Sequence, residues 1–206
     1  MHPEEPIHKT DTKKKNYFRE NLSTFAILVL APLTALFMIH FVFQTYEVDG
    51  PSMNTTLADN DRLIVVKTGK TWSRITRSDY TPNRYDIIVF NHRGDFGFGD
   101  KVTDKQLIKR VIGVPGDRVV VKDGVVTIYN KDNPDGFLVD RVGPESKVIG
   151  VTSGNIDQTI RDGEVFAMGD NRENSLDSRV FGTVTSSEIV GKLAVRIYPF
   201  DKTQRF

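Results

Sequence analysis

The chain has 206 residues, with 28 Lys and Arg against 27 Asp and Glu, a net charge of +1 and no cysteine. The near balance of charge implies no nucleic-acid or polyanion partner, and the missing cysteine excludes disulfides, thiolate catalysis and cysteine-ligated metals. The histidines are His2, His8, His40 and His92; only His92 falls where a folded soluble domain would use it, which argues against a histidine-rich metal site.

Residues 1–21 are polar, carry Lys13, Lys14, Lys15 and Arg19, and lack apolar periodicity, so they read as a mostly disordered tail. Residues 22–43 are almost continuously apolar, interrupted by Ser23, Thr24, Pro32, Thr34 and His40. At ~1.5 Å per residue this run spans roughly 30 Å of hydrocarbon, and membrane helices tolerate a proline kink. A cleaved leader would have a shorter apolar core and a small-x-small site, which Phe43-Gln44-Thr45-Tyr46-Glu47 does not supply. A buried core helix would carry a polar face, and none is present. The reading is one transmembrane anchor. Basic residues before it and Glu47 and Asp49 after it put the tail in the cytoplasm and residues 44–206 on the extracytoplasmic side.

Just beyond the anchor comes Asp49-Gly50-Pro51-Ser52-Met53-Asn54-Thr55-Thr56-Leu57. Gly-Pro fixes a turn and can point the Ser52 hydroxyl outward. Alone, the stretch also fits an ordinary surface loop. Short β-type runs then follow: 62–66, 86–90, 118–121, 125–129, 164–168 and 192–198. Lys122-Asp123-Gly124 is a hairpin signal, and Thr185-Ser186-Ser187-Glu188 is a possible helix start. Residues 130–158 are rich in Asp, Gly, Pro, Ser and Asn and read as a weakly structured excursion. The soluble part is therefore mainly β, a coiled antiparallel arrangement of several sheets.

Two further stretches carry chemistry. In Gln106-Leu107-Ile108-Lys109-Arg110-Val111-Ile112-Gly113-Val114-Pro115-Gly116-Asp117, a strand would point Lys109 and Arg110 to opposite faces, one inward and one solvated. A lysine among Leu107, Ile108, Val111 and Ile112 is a candidate for burial, which disfavours the ammonium and makes a base. Arginine would not serve, because it does not deprotonate. The alternative is two charges on a half-exposed edge. In Gly169-Asp170-Asn171-Arg172-Glu173-Asn174-Ser175-Leu176-Asp177-Ser178-Arg179, Asp177 and Arg179 are placed to pair, and Ser175 is placed to hydrogen-bond a neutral amine; a solvated loop is the plainer reading. Serine nucleophile, desolvated lysine and second serine form a workable set without histidine.

Together these stretches resemble the bacterial type I signal peptidases, the Ser/Lys leader peptidases of the cytoplasmic membrane. The resemblance rests on Ser52-Met53 with Thr56-Leu57, on Lys109-Arg110-x-x-Gly-x-Pro-Gly-Asp, and on Gly169-Asp170-Asn171-Arg172-x-x-Ser175-x-Asp177-Ser178-Arg179. A weaker box is Arg84-Tyr85-Asp86-Ile87-Ile88-Val89-Phe90, and the anchor precedes the serine as in that family. The resemblance implies Ser52 as nucleophile, Lys109 as general base, Ser175 orienting the amine, and Asp177 with Arg179 supporting that shell. Asp170 would brace the site, and the Ser52 N–H would form part of an oxyanion hole. Some members supply a second donor from a serine where this chain has Gly50, so a backbone group or water must substitute. The family usually has proline at Thr55, a change expected to alter local rigidity. It usually has glycine at Tyr85, a change expected to reshape the substrate edge.

The implied substrates are secreted preproteins that add an extended segment to a strand edge. Small residues at the first and third positions before the scissile bond would enter pockets lined by Tyr46, Val48, Leu63, Val89 and Ile108, for each of which core packing is the alternative. Membrane lipid is the other partner, and no metal or organic cofactor is implied. Three other readings stand beside this one: a non-catalytic membrane-anchored β binding domain, a Ser-His-Asp hydrolase using His92, and a relative dedicated to one pilin or transfer protein.

Overall fold

The computed structural model describes residues 11–76, 78–94, 103–142 and 148–206. The chain divides into two compact units, 1–40 and 41–206.

In the first unit α1 runs Asp11–Phe37, with Pro32 inside it, and Met38–Val42 continues as a π-helical turn that crosses into the second unit. The helix therefore begins eleven positions before the apolar run, at Asp11, which corrects the expected disorder of residues 11–21; residues 1–10 of the tail lie outside the described residues. The large apolar side chains described here, from Leu22 and Phe25 to Met38 and Ile39, are exposed. Side chains of the first part of α1 and of His40 lie outside the described residues. Among the described residues no helix is long and apolar enough to cross a membrane.

The second unit is two antiparallel sheets, as expected of a mainly β domain. Its elements are β1 (Phe43–Glu47), β2 (Arg62–Val66), α2 (Thr68–Thr76), β3 (Ile87–Gly94), β4 (Thr103–Gly113), β5 (Arg118–Lys122), β6 (Val125–Tyr129), β7 (Phe137–Leu138) and α3 (Val139–Val142). They continue as β8 (Ile156–Thr159), β9 (Glu164–Met168), α4 (Ser178–Phe181), β10 (Val184–Thr185), β11 (Ile189–Tyr198) and β12 (Gln204–Arg205). The larger sheet has the order β1-β2-β11-β3-β4-β9-β10, with β12 on β11; the smaller is β7-β6-β5-β8. Strand burial alternates where one face is covered, as in β2, where Leu63 and Val65 are buried. The β5–β6 hairpin turns on Asp123 (φ +51°) and Gly124 (φ +79°), the pair of left-handed residues that a tight hairpin needs.

Phe43 is the first residue of β1 and pairs with Val66, so it belongs to the sheet and not to the apolar helix. The expected helix at Thr185–Glu188 does not form. Instead the Thr185 N–H and Oγ1 both donate to Glu188 Oε2 at 2.7 Å, and the Glu188 N–H donates to the Thr185 carbonyl at 3.0 Å. This side-chain pattern resembles a helix cap but closes a tight turn, because β11 starts at once and is held by ladders to both β2 and β3. The excursion at 130–158 is better ordered than expected: it contributes β7, α3 and β8, while residues 143–147 lie outside the described residues.

One hydrophobic cluster positions the site. Val48, Met53, Leu57, Leu63, Ile87 and Leu193 are buried together beneath the loop that carries Ser52. Met53 and Leu57 are fully buried, and the Leu57 N–H donates to the Met53 carbonyl at 2.9 Å. Each such side chain stabilises the loop by about 1.5–3 kcal/mol, so Ser52 is mounted on a packed turn.

Candidate active site

Ser52 lies in the loop between β1 and β2, and Lys109 lies on β4; folding brings them into contact. Lys109 Nζ is 2.8 Å from Ser52 Oγ and donates also to the Ile108 carbonyl at 2.9 Å. Lys109 is buried. Burial lowers its pKa from the ordinary 10.5 to about 8, against the opposing pull of the Asp177 and Asp170 carboxylates.

The backbone around Ser52 is fixed from two sides. Gly50 takes φ +92°, a left-handed conformation that glycine alone adopts without strain, and its N–H donates to Asp59 Oδ1 at 2.8 Å. Gly50 thus has neither a side chain nor a free N–H, and it does not supply an oxyanion donor. The Asn171 N–H donates to the Ser52 carbonyl at 3.1 Å, and Asn171 Nδ2 to the Pro51 carbonyl at 3.2 Å. Among the described residues the Ser52 N–H meets no backbone acceptor.

Asp177 accepts from Arg179 Nε at 2.8 Å and Nη2 at 2.9 Å, forming the expected ion pair with both side chains buried. The same carboxylate accepts from the Gly169 N–H at 3.0 Å and caps α4 through the Arg179 N–H. Asp170 accepts from Arg110 Nε at 2.8 Å, Arg110 Nη2 at 2.6 Å and Thr56 Oγ1 at 2.5 Å. Arg110 is therefore not the solvated neighbour of Lys109: both are buried, on opposite faces of β4. Its guanidinium has two carboxylate oxygens, Thr56 Oγ1 and the Tyr85 carbonyl to satisfy it.

The expected hydrogen bond from Ser175 to the lysine is not made. Ser175 Oγ is buried without a hydrogen-bond partner, while Lys109 Nζ is engaged by Ser52 and Ile108. Ser175 packs on Gly169, which follows Met168, the register partner of Arg110. A side chain at 169 would collide with Ser175 Oγ and come within 2.5 Å of the Ser52 carbonyl oxygen. Gly169, Arg110, Thr56 and Asn171 all lie within the quoted motifs, yet none gives a sequence signal for its contact.

Tyr46, Val48, Leu63, Val89 and Ile108 line one cleft of about 210 Å³ together with Ser52 and Lys109. Glu47, Asp49, Lys105, Gln106 and Leu107 complete its walls. Burial of the Tyr46 hydroxyl raises its pKa, with the Gln106 side chain acting in the opposite sense. His92 is not part of this cleft; it stacks on Phe181 at 4.2 Å. Tyr85 is not part of it either: it packs against the core of Ile112 and Val119, with its hydroxyl on the Val139 carbonyl. Its φ of +71° lies in the left-handed region that favours glycine.

A family model described as signal peptidase, peptidase S26, matches residues 21–198. Signal peptidase I U of Bacillus subtilis (strain 168) is 32% identical over 200 residues, covering 96% of this chain and 97% of that protein. Signal peptidase I T of the same strain is 34% identical over 200 residues, covering 96% and 94%. The crystal structure of a signal peptidase I from Enterococcus faecalis V583 aligns over 55% of this chain and 97% of that one, with 25% identity and a TM-score of 0.39. The match to the family model and the identity shared with the curated relatives along most of their length show that the chain belongs to the signal peptidase family, peptidase S26.

Proposed function

We propose that this member of the family is a serine endopeptidase that removes signal peptides from secreted preproteins, with Ser52 as nucleophile and Lys109 as general base. The observation that carries this assignment is the 2.8 Å contact between Ser52 Oγ and the amine of a buried lysine. Neutral Lys109 takes the Ser52 proton as Oγ attacks the carbonyl carbon of the last signal-peptide residue. The Ser52 N–H, free of a backbone acceptor, donates to the developing oxyanion. The lysine ammonium then gives its proton to the leaving amine, and the C–N bond breaks to leave an ester on Ser52. Lys109 next deprotonates a water that attacks this ester, and the returning proton restores Ser52 Oγ. Ser175, against Gly169 beside Lys109, supplies a hydroxyl to hold the amine once Lys109 turns toward the substrate. Asp177–Arg179 and Asp170–Arg110 hold the backbone on which both serines ride.

The substrate backbone would run between residues 46–49 and the outer edge of β4. β9 pairs with β4 only from Arg110 to Gly113, so residues 105–109 keep one edge open for an added strand. Tyr46, Val48, Leu63, Val89 and Ile108 would then form the pockets for small residues at the first and third positions before the bond. Residues 22–42 would anchor the enzyme in the bacterial cytoplasmic membrane, with the β unit, which opens at Phe43, outside. The basic tail and the exposure of the large apolar side chains described in α1 support this topology.

The test is depletion of the chain from its host, followed by N-terminal sequencing of secreted proteins. Uncleaved preproteins should accumulate and be rescued by the parent sequence but not by Ser52→Ala. Rescue by Ser52→Ala would overturn the assignment.

A further inference from the structure

The loop that carries Asp170 and Ser175 is held on both edges. On one side the Asn171 N–H and Nδ2 reach the Ser52 and Pro51 carbonyls, at 3.1 and 3.2 Å. On the other side runs the stretch 149–152, between α3 and β8. The Ile149 N–H donates to the Asp170 carbonyl at 3.0 Å and the Arg172 N–H to the Ile149 carbonyl at 2.9 Å, which makes a parallel bridge of Ile149 and Asn171. The Val151 N–H donates to Glu173 Oε1 at 3.0 Å, and Gly150 leaves room for the Glu173 side chain, which a Cβ there would strike. A loop tied on both edges transmits a shift of its outer edge to the nucleophile on its inner one.

One buried cation locks the outer edge. Arg172 is fully buried, and its Nη1 donates to Asp140 Oδ2 and to Thr152 Oγ1, both at 2.7 Å. Its Nη2 donates to Asp140 Oδ1, and its Nε to the Gly169 carbonyl at 3.3 Å. Gly169 is the residue whose missing side chain lets both Ser175 and the Ser52 carbonyl pack close. Asp140 sits on α3, next to Val139, which is buried in one cluster with Val119, Ile128 and Met168. The ion pair therefore joins the core beside the smaller sheet to the turn under Ser52, across 32 positions of chain. A guanidinium held by both oxygens of a carboxylate is fixed in direction as well as in distance.

We propose that Asp140 is a positioning residue for the nucleophile: it aims Arg172, which holds the 169–174 loop, and with it the Ser52 carbonyl, where Ser52 Oγ meets Lys109. The inference rests on the reading of Ser52 and Lys109 as nucleophile and base. Neither Asp140 nor Arg172 lines the cleft, so losing their contact slows the chemical step and leaves peptide binding alone. The smaller sheet lends no residue to the cleft and acquires its part in catalysis through this contact.

The full chain in detergent is assayed on a peptide with alanine at the first and third positions before the bond, and each variant is unfolded in urea in parallel. Asp140→Ala should lower kcat by about 10- to 10²-fold, as a small misplacement of a reacting group does, with KM within about twofold of the parent. That variant also strands a buried guanidinium, so its urea midpoint falls. Asp140→Ala combined with Arg172→Met removes the stranded charge. It should return the midpoint close to the parent's while kcat stays at least about tenfold down. A double variant whose kcat returns with its stability would overturn the inference and leave Asp140 a structural ion pair. A loss carried in KM with kcat unchanged would overturn it too, because the contact would then shape the cleft. Ser52→Ala is run beside them. If it is inactive while the double variant recovers, the inference alone falls; if it still cleaves, the reading of Ser52 as nucleophile falls and takes the inference with it.

Discussion

Replacing Lys109 by methionine should abolish cleavage and yet make the protein more stable, and both effects follow from one number. The lysine pKa is lowered from 10.5 to about 8 because the folded state removes its ammonium from water. At pH 7 roughly a tenth of the amine is then neutral, about 300-fold more than an unperturbed lysine would offer. On the proposed assignment of Lys109 as base, that gain is what the fold supplies to Ser52. The same depression means that folding at pH 7 works against the lysine charge by about 3 kcal/mol. The sign is fixed by proton counts: between pH 8 and 10.5 the unfolded chain holds the proton that the folded chain has released, so parent stability rises with pH across this window. Methionine fills similar volume without a charge, so Lys109→Met should gain about 1–3 kcal/mol at pH 7, less the two lost hydrogen bonds. The gain should shrink as pH approaches 10.5. Urea denaturation of the full chain in detergent, at pH 7 and pH 10, measures this, and single-turnover cleavage measures activity. In the parent, cleavage should rise about tenfold per pH unit below pH 8 and level off above it. A methionine variant that is less stable than the parent at pH 7, or a parent rate flat from pH 6.5 to 9, would refute the desolvated base.

Gly169→Ala should cut kcat by about 10²-fold, because the added methyl meets the Ser52 carbonyl and must displace Ser52; unchanged kcat in a folded variant would show that the turn yields freely. Asp170→Ala should destabilise the fold by about 3–5 kcal/mol, since it strands the buried Arg110 guanidinium, whereas Asp170→Ala with Arg110→Met should recover most of that in chemical denaturation. Ser175→Ala should leave stability within about 0.5 kcal/mol, because its hydroxyl makes no hydrogen bond, while lowering kcat with KM little changed. Alanine at the first and third positions of a peptide substrate should be accepted, and a bulky or charged residue at either should greatly reduce kcat/KM, because the cleft holds only about 210 Å³.

What the sequence disclosed and what it withheld divide along one line. Strand positions in the β unit were legible because period-two burial writes itself into composition: β2, β5 and β6 fall where their Val and Ile runs lie. The Asp177–Arg179 pair was legible because two residues of separation leaves few ways for opposite charges to miss each other. Arg110 was misread because alternation gives opposite faces but not which faces are covered. Its face is covered by Thr56 and Asp170, from loops 54 and 60 positions away along the chain. Ser175 makes no bond to the amine for a related reason: that amine already has acceptors in Ser52 and Ile108.

Two further differences in helix come from the same physics with opposite signs. Thr185-Ser186-Ser187-Glu188 has the cap pattern, and the cap contact forms, but the residues that follow pair at once with β2 and β3, and the sheet takes the chain. Thr68–Thr76 has glycine, three threonines and no acidic first turn, a poor helix by propensity, yet it is helical. A helix of nine residues is not stable on its own, so its contacts with the folded unit have to supply what propensity lacks. Lys70 on the Ser186 carbonyl and Gly69 under Tyr80 are such contacts, and both join residues more than ten positions apart. The inward face is thereby used up on polar partners, and the apolar pair Trp72 and Ile75 is left to face outward. A helical pattern in a sequence says that a stripe exists; only the partners of the opposite face decide whether that stripe meets the core or faces outward.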